Sequence, residues 1–143
     1  MKKETIEYFE KMRDAVVKHE DSEAEQATAV LNGQKSIDIE PPYSLGAMNA
    51  FRYYEDSDSS RSTVDGEDVL ECTALPNLDF AEDFLKTLRE AGAEEIILTD
   101  ESGLLDFLHR MTGLGCTIGE SCTIQRNIFS LGEQTDYGIR LKI

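Results

Sequence analysis

The clearest structural unit in the sequence is a strand–helix–strand pattern near the middle of the chain. Residues 69–75 have the composition of a strand, and Asn77 or Asp79 can cap the helix that follows. That helix carries its apolar residues on one face and ends at Gly92, and the apolar run EIILT at residues 95–99 is typical of a strand buried on both faces. Because a helix that links neighbouring strands makes a right-handed crossover, the pattern predicts a parallel pair in a βαβ unit.

The N-terminal region is predicted to be helical. Apolar residues share one face across residues 4–18, and a second apolar stripe runs through residues 24–31 until Asn32-Gly33. Residues 22–25 have the sequence of a capping box, in which a serine hydroxyl and a glutamate carboxylate satisfy the free backbone donors of a helix start. This motif favours two helices that meet near residues 19–21 over one long helix.

Alternation of apolar and polar residues predicts strands in three other places. These are residues 36–40, residues 43–53 and the region from residue 116 to residue 143, whose strands are expected to be antiparallel. Residues 55–68 contain almost no core-forming side chain, so we expect a solvated loop with a turn at Asp65-Gly66.

Together the predicted elements define a single α+β domain over residues 1–143. The N-terminal helices and two central helices are expected to pack on a mixed, largely antiparallel sheet of about five or six strands with one parallel βαβ crossover. The second central helix begins after Asp100 or Ser102 and ends at Gly113.

The chain is strongly acidic, and the charge is concentrated in its middle. The 143 residues include 29 Asp and Glu against 14 Lys and Arg, which gives a formal net charge of −15. Twelve of the acids, but only three of the bases, lie between residues 21 and 71. Nucleic acids and anionic membranes both require a basic surface, so neither is expected as a ligand. The charge favours a basic protein partner or a metal cation, or else it serves only solubility.

The apolar runs, the first residues and the three cysteines indicate the cellular compartment in which the protein is expected. The longest apolar run is three residues, whereas a membrane span needs about 20. The first residues lack the apolar stretch of a secretory signal, so we expect a cytoplasmic protein with reduced thiols. Cys116, Cys122 and His109 do not have the spacing of a zinc site, and alternation places both cysteines among inward-pointing residues. Neither a metal nor another cofactor is expected, and catalysis is not favoured.

The acidic loop partly matches the ligand spacing of a calcium loop. Counting from Asp56 places Asp58, Ser60 and Glu67 at ligand positions. However, Arg61 stands where the sharp turn of such a loop requires glycine, and its charge would repel the cation. We therefore expect a solvated loop without bound calcium.

A docking surface is the functional interpretation of the same loop. Residues 55–71 carry seven acids and one base, close in sequence to several aromatic residues. Aromatic rings surrounded by carboxylates suit a Lys- and Arg-rich partner, because the rings supply contact area and cation–π attraction. The candidate binding residues are Tyr43, Phe51, Tyr53, Tyr54, Glu55, Asp56, Asp58, Asp65, Glu67 and Asp68. In the alternative interpretation, the rings pack in the core and the acids only solvate the loop.

Three classes of function follow from these features. The leading hypothesis is a non-enzymatic acidic intracellular binding protein for a basic partner, a profile that bacterial immunity proteins and similar small inhibitors share in class and composition alone. The second is a small enzyme or ligand-binding domain, which would show a deep pocket converging on His109, a cysteine or buried carboxylates. The third is a structural module or homodimer, which would expose a patch formed by Tyr43, Phe51 and Tyr53.

Overall fold

Four helices and one six-stranded mixed sheet make up the computed structural model, which describes residues 1–143. The helices are α1 (Lys3–Leu31), α2 (Leu45–Ser60), α3 (Ala81–Glu90, preceded by a 3-10 turn at Leu78–Phe80) and α4 (Leu104–Gly113). The strands are β1 (Thr63–Val64), β2 (Glu67–Asp68), β3 (Glu71–Cys72), β4 (Glu95–Thr99), β5 (Thr117–Ile128) and β6 (Gly132–Lys142). Their order in the sheet is β2-β1-β5-β6-β4-β3. The predicted α+β class with a largely antiparallel sheet is confirmed.

The βαβ crossover is confirmed as well. β3 pairs in parallel with β4, with Glu71 opposite Ile97 and Cys72 opposite Leu98. The Asn77 side chain caps the connecting helical segment by accepting a hydrogen bond from the backbone N–H of Asp79 at 2.9 Å. β4 has the expected bounds, but β3 is shorter than residues 69–75, because only two of its residues pair.

α1 is one continuous helix of 29 residues, so the expected break near residues 19–21 is wrong. Ser22 does not cap a second helix. Its hydroxyl donates instead to the carbonyl of Lys18, one turn earlier, at 3.0 Å. A serine inside a helix can bond the preceding turn in this way, and the Glu, Ala and Gln residues around it are strong helix formers.

The strand expected at residues 43–53 is instead helix α2. Its N-cap is Ser44, whose side chain accepts a hydrogen bond from the backbone N–H of Ala47 at 3.3 Å. The apolar residues that alternate in this stretch also fit helical spacing, since Ala47, Phe51 and Tyr54 lie at positions i, i+4 and i+7.

Two further predictions between the helices are also corrected. Residues 36–40 form no strand pairs. The loop expected at residues 55–68 is helical up to Ser60, and it then forms the β1–β2 hairpin, whose turn is at Asp65-Gly66 as predicted.

The sheet is strongly curled. A flat sheet would separate β1 from β3 by about 19 Å, because three other strands lie between them. Nevertheless, the hydroxyl of Ser62, next to β1, donates to the Glu71 carboxylate on β3 at 2.8 Å. Arg126 on β5 donates from Nε to both Glu71 oxygens at 2.9 Å. The curl therefore encloses a second small core on the sheet face opposite the helices, formed by Val64, Ile97 and Ile124.

The main core lies between the helices and the other face of the sheet. Its largest fully buried side chains are Phe9, Met12, Phe84, Leu88, Ile96, Leu98, Phe107, Met111 and Leu141. α1 contributes buried residues only as far as Met12. Its last 15 residues, from Val17 to Leu31, therefore extend beyond the core over about 22 Å of helix.

Candidate binding surfaces

The aromatic residues proposed for docking are mostly in the core. Phe51, Tyr53 and Tyr54 are only 5%, 6% and 3% exposed, and Tyr43 packs half-buried against the same core. The ring of Tyr54 stacks on Phe9 with centroids 4.9 Å apart. These rings do not supply an exposed aromatic surface, either for a basic partner or for the expected homodimer patch.

Two of the candidate acids lie at the contact between α1 and α2. Arg13 on α1 approaches the carboxylates of Glu55 at 3.2 Å and Asp58 at 3.7 Å. It also pairs with Glu10 at 2.8 Å, and Glu10 accepts a hydrogen bond from the Tyr54 hydroxyl at 2.6 Å. Burial, together with this hydrogen bond, raises the pKa of Tyr54. These acids link α2 to α1 through Arg13, and the guanidinium offsets part of their negative charge.

The other candidate acids are exposed at separate places. Asp56 lies on α2 and has no cationic group within 4 Å, whereas Asp65, at the hairpin turn, is 4.0 Å from Arg140. Glu67 and Asp68 form the exposed edge strand β2, and neither carboxylate has a cationic group within 4 Å, although the N-terminal ammonium of Met1 donates to the backbone carbonyl of Asp68 at 2.5 Å. The acids of residues 55–68 therefore form several groups rather than one continuous face.

A larger group of free acids lies on a part of the chain that the sequence interpretation did not single out. Residues 20–40, here called the acidic arm, comprise the projecting end of α1 and the segment that follows it. The acidic arm contains six acids and one lysine. All six acids are exposed, and only Glu23 has a neighbouring base, the His19 ring at 3.1 Å. Leu31 and Ile37 are 87% and 67% exposed on the same arm.

The second half of the acidic arm belongs to a segment that returns beside α1. Twelve residues lead from Leu31 to Tyr43, which lies near Tyr8 at the core. Leu31 and Tyr8 are about 35 Å apart along α1. Twelve extended residues reach about 40 Å, so the segment from Leu31 to Tyr43 is almost fully extended. The Gln26 side chain donates to the Lys35 carbonyl at 3.5 Å and ties the segment to the helix.

The cysteines and histidines do not come together. Cys72 and Cys116 lie in the main core, whereas Cys122 is half-buried beside the second core. A bulge between Ile118 and Ser121 reverses the alternation of β5, so Cys122 does not share the inward direction of Cys116 as expected. Burial raises the pKa of all three thiols.

The structure has neither the geometry of a zinc site at Cys116, Cys122 and His109 nor that of a calcium loop at residues 56–67. His109 is exposed on α4, and no group of three or more His, Cys, Asp or Glu side chains could hold a metal ion. Asp56, Asp58 and Ser60 are in a helix, so they cannot wrap around a calcium ion as loop residues do.

A cleft of about 980 Å³ opens between the start of α1, the β1–β2 hairpin and the ends of β4 and β6. It is lined by charged residues of both signs around an apolar floor, and Thr5 of α1 faces it. Neither a cysteine, nor a histidine, nor the buried Glu71 lines it. It is therefore not the pocket that the enzyme hypothesis required. Sequence reasoning missed the cleft because its walls come from four distant parts of the chain.

Comparison of the chain with known protein families, with curated proteins and with solved structures finds no significant match. None of its helices combines the length and the apolar character needed to cross a bilayer.

Proposed function

We propose that the chain is a non-enzymatic acidic binding protein of the immunity or inhibitor type, which occupies a basic surface of a protein partner in the cytoplasm. The observation that supports this proposal is the acidic arm. Five of its six carboxylates have no cationic group within 4 Å: those of Glu20, Asp21 and Glu25 lie on the projecting end of α1, and those of Asp38 and Glu40 lie on the segment that follows it. Their field is therefore available to a partner.

More than half of the acidic side chains have no ion-pair partner. Thirteen of the 29 acidic side chains lie within 4 Å of a basic one, which leaves sixteen without a partner. Unpaired carboxylates attract cationic proteins and accelerate encounter, although at physiological salt the attraction falls off over about 8 Å. A surface that projects from the fold can approach a partner within that distance.

Apolar residues on the acidic arm add the second component of a binding surface. Leu31 and Ile37 are mostly exposed, next to the free carboxylates. Charged groups set the rate and selectivity of association, whereas buried apolar anchors supply much of the affinity. The expected partner surface is therefore rich in Lys and Arg and contains an apolar depression.

The thiols give little support to a cysteine-based enzyme. Thiolates are the reactive form, and the raised pKa of Cys72, Cys116 and Cys122 keeps these side chains protonated at neutral pH. Of the two alternatives, the ligand-binding domain is favoured by the cleft beside Thr5, and the homodimer loses the patch on which it depended.

The proposal is tested by capturing the partner through the acidic arm. A photo-crosslinking amino acid replaces Ala24, which is exposed between the free acids, and crosslinking is performed in an extract of the source cells at several salt concentrations. We expect a basic protein whose capture weakens as salt is raised. Capture of neutral or acidic proteins alone would overturn the proposal.

A further inference from the structure

The cleft at the start of α1 contains a buried hydroxyl without a hydrogen-bond partner. Thr5 is 1% exposed, it lines the cleft, and its Oγ1 is the one buried side-chain polar atom left unpaired in the protein. Buried polar groups are almost always hydrogen-bonded, so an exception in a native structure calls for a physical explanation.

The position of Thr5 in the helix explains why the protein itself does not satisfy this hydroxyl. The hydroxyls of Thr28, Thr87 and Thr112 each donate to a carbonyl of the preceding turn at 3.0 Å. Thr5 lies in the first turn, where the Lys2 carbonyl already accepts two backbone N–H groups. A hydroxyl that the fold leaves free, at the wall of a cleft, is suited to a bound molecule.

The charges around the cleft indicate what kind of molecule this is. Most of the lining charges are paired, such as Lys2 with Glu94 and Arg140 with Glu95. The charges of the cleft that lack an oppositely charged side chain within 4 Å are those of Lys142, the N-terminal ammonium of Met1, Glu67 and Asp68. The Met1 ammonium donates to the backbone carbonyl of Asp68 at 2.5 Å, so Lys142 carries the ammonium group without a hydrogen-bond partner in the protein. One cleft thus offers a free ammonium group on one wall and free carboxylates on another.

A molecule with both charges matches this arrangement better than a simple ion. An anion would meet Glu67, Asp68 and the −15 charge of the chain, whereas a cation would leave Lys142 without a partner. A zwitterion has no net charge for the field of the whole protein to repel, and it pairs with both kinds of free group. The apolar floor formed by Val64, Val69 and Leu70 can hold a side chain.

We propose that this cleft binds the zwitterion of a free amino acid or of a short unblocked peptide. The carboxylate of the ligand pairs with Lys142, its ammonium group pairs with Glu67 and Asp68, and the Thr5 hydroxyl hydrogen-bonds to a polar atom of the ligand. This site shares no residue with the acidic arm, so its test is independent of the test for a basic partner.

The test is a titration of the full chain with the twenty free L-amino acids and with unblocked dipeptides, followed by amide NMR. We expect at least one compound to bind saturably and to shift the resonances of Thr5, Glu67 and Lys142. The N-acetylated and the carboxamide forms of that compound should each bind about tenfold more weakly or worse, because each lacks one charge. Binding by amino acids, by dipeptides or by both identifies the source of the zwitterion.

Two variants separate a binding role from a structural one. K142Q should weaken binding about tenfold, whereas K35Q, which removes an equally unpaired lysine far from the cleft, should leave it unchanged. Thr5→Val should raise the melting temperature of the free protein, because a methyl group replaces an unsatisfied buried hydroxyl. The same variant should lower the affinity for the ligand, because the hydrogen bond from the hydroxyl is lost. The proposal is overturned if no zwitterion binds up to about 10 mM, or if K142Q and Thr5→Val leave the affinity unchanged.

Discussion

Replacing Arg126 with methionine is expected to destabilise the fold by about 3–5 kcal/mol. The reason is the Glu71 carboxylate, which is 1% exposed and is balanced by the Arg126 guanidinium across the curl of the sheet. Arg126 Nε donates to both carboxylate oxygens at 2.9 Å, and its own side chain is 14% exposed. Removal of one partner from such a pair leaves a buried charge without compensation, which is far more costly than loss of a surface ion pair.

Arg110 provides a matched control. It pairs with Glu82 at 3.5 Å, but both side chains are well exposed, so R110M should cost only about 0–1 kcal/mol. A double variant that replaces Glu71 with Leu together with R126M should recover most of the lost stability, because an apolar pair can replace a buried ion pair of similar volume.

The assay is equilibrium unfolding in urea of the four proteins, with stability taken from midpoint and slope. If R126M costs no more than R110M, the ion pair does not hold the two ends of the sheet together. If the double variant is as unstable as R126M, the cost does not arise from an orphaned carboxylate.

Three further predictions concern pH, packing and the acidic arm. Burial raises the pKa of Cys72 and Tyr54 above their ordinary values of 9.0 and 10.0, so the folded protein holds these protons when the unfolded chain releases them. The free energy of unfolding should therefore fall as pH rises above about 9, and Tyr54→Phe should make the fall in urea titrations shallower. Gly138→Ala should cost about 1–3 kcal/mol in the same assay, because its Cβ would lie 2.7 Å from Ile97 Cγ2. Leu31→Ser should change stability by less than about 0.5 kcal/mol, because this side chain is 87% exposed, yet weaken capture of the partner; unchanged capture would exclude Leu31 from the interface.

Local sequence signals are sufficient for the βαβ unit and for helix α4. The run at residues 95–99 is short, apolar and bounded by charged residues, and it forms β4 with the expected bounds. The helices α3 and α4 end within two residues of the expected Gly92 and Gly113. Gly92 and Gly115 follow the two helices with positive φ, a backbone conformation that glycine readily adopts. Here propensity, periodicity and tertiary packing agree.

The first half of the chain illustrates where such signals fail. The stretch that became α2 fits both a two-residue and a helical period, and the choice depends on contacts with α3, where Gly46 packs within 3 Å of the Phe84 and Phe80 backbone. Local signals also fail in β5, in the second half of the chain, because the direction of Cys122 depends on a bulge between Ile118 and Ser121 that no sequence motif indicates.

The candidate sites were even less accessible from the sequence. Charge counting located the acidic middle of the chain, but it could not show that Glu55 and Asp58 share Arg13 as a partner while five of the six acids of the acidic arm have none. Likewise, the cleft exists only because the curl brings Lys142 and the β1–β2 hairpin beside Thr5. Such long-range placements follow from the whole fold.

The most direct test of the acidic arm is the association rate of the captured partner, measured by stopped flow at several salt concentrations. One variant carries E20Q, D21N and E25Q, and the control carries D100N, E120Q and E133Q, so that both remove three exposed, unpaired charges. We expect the arm variant to associate about tenfold more slowly than the parent chain at low salt, with a weaker dependence of the rate on salt. The association rate of the control variant should stay close to that of the parent chain. Equal rates for the two variants would show that net charge alone, and not this surface, attracts the partner.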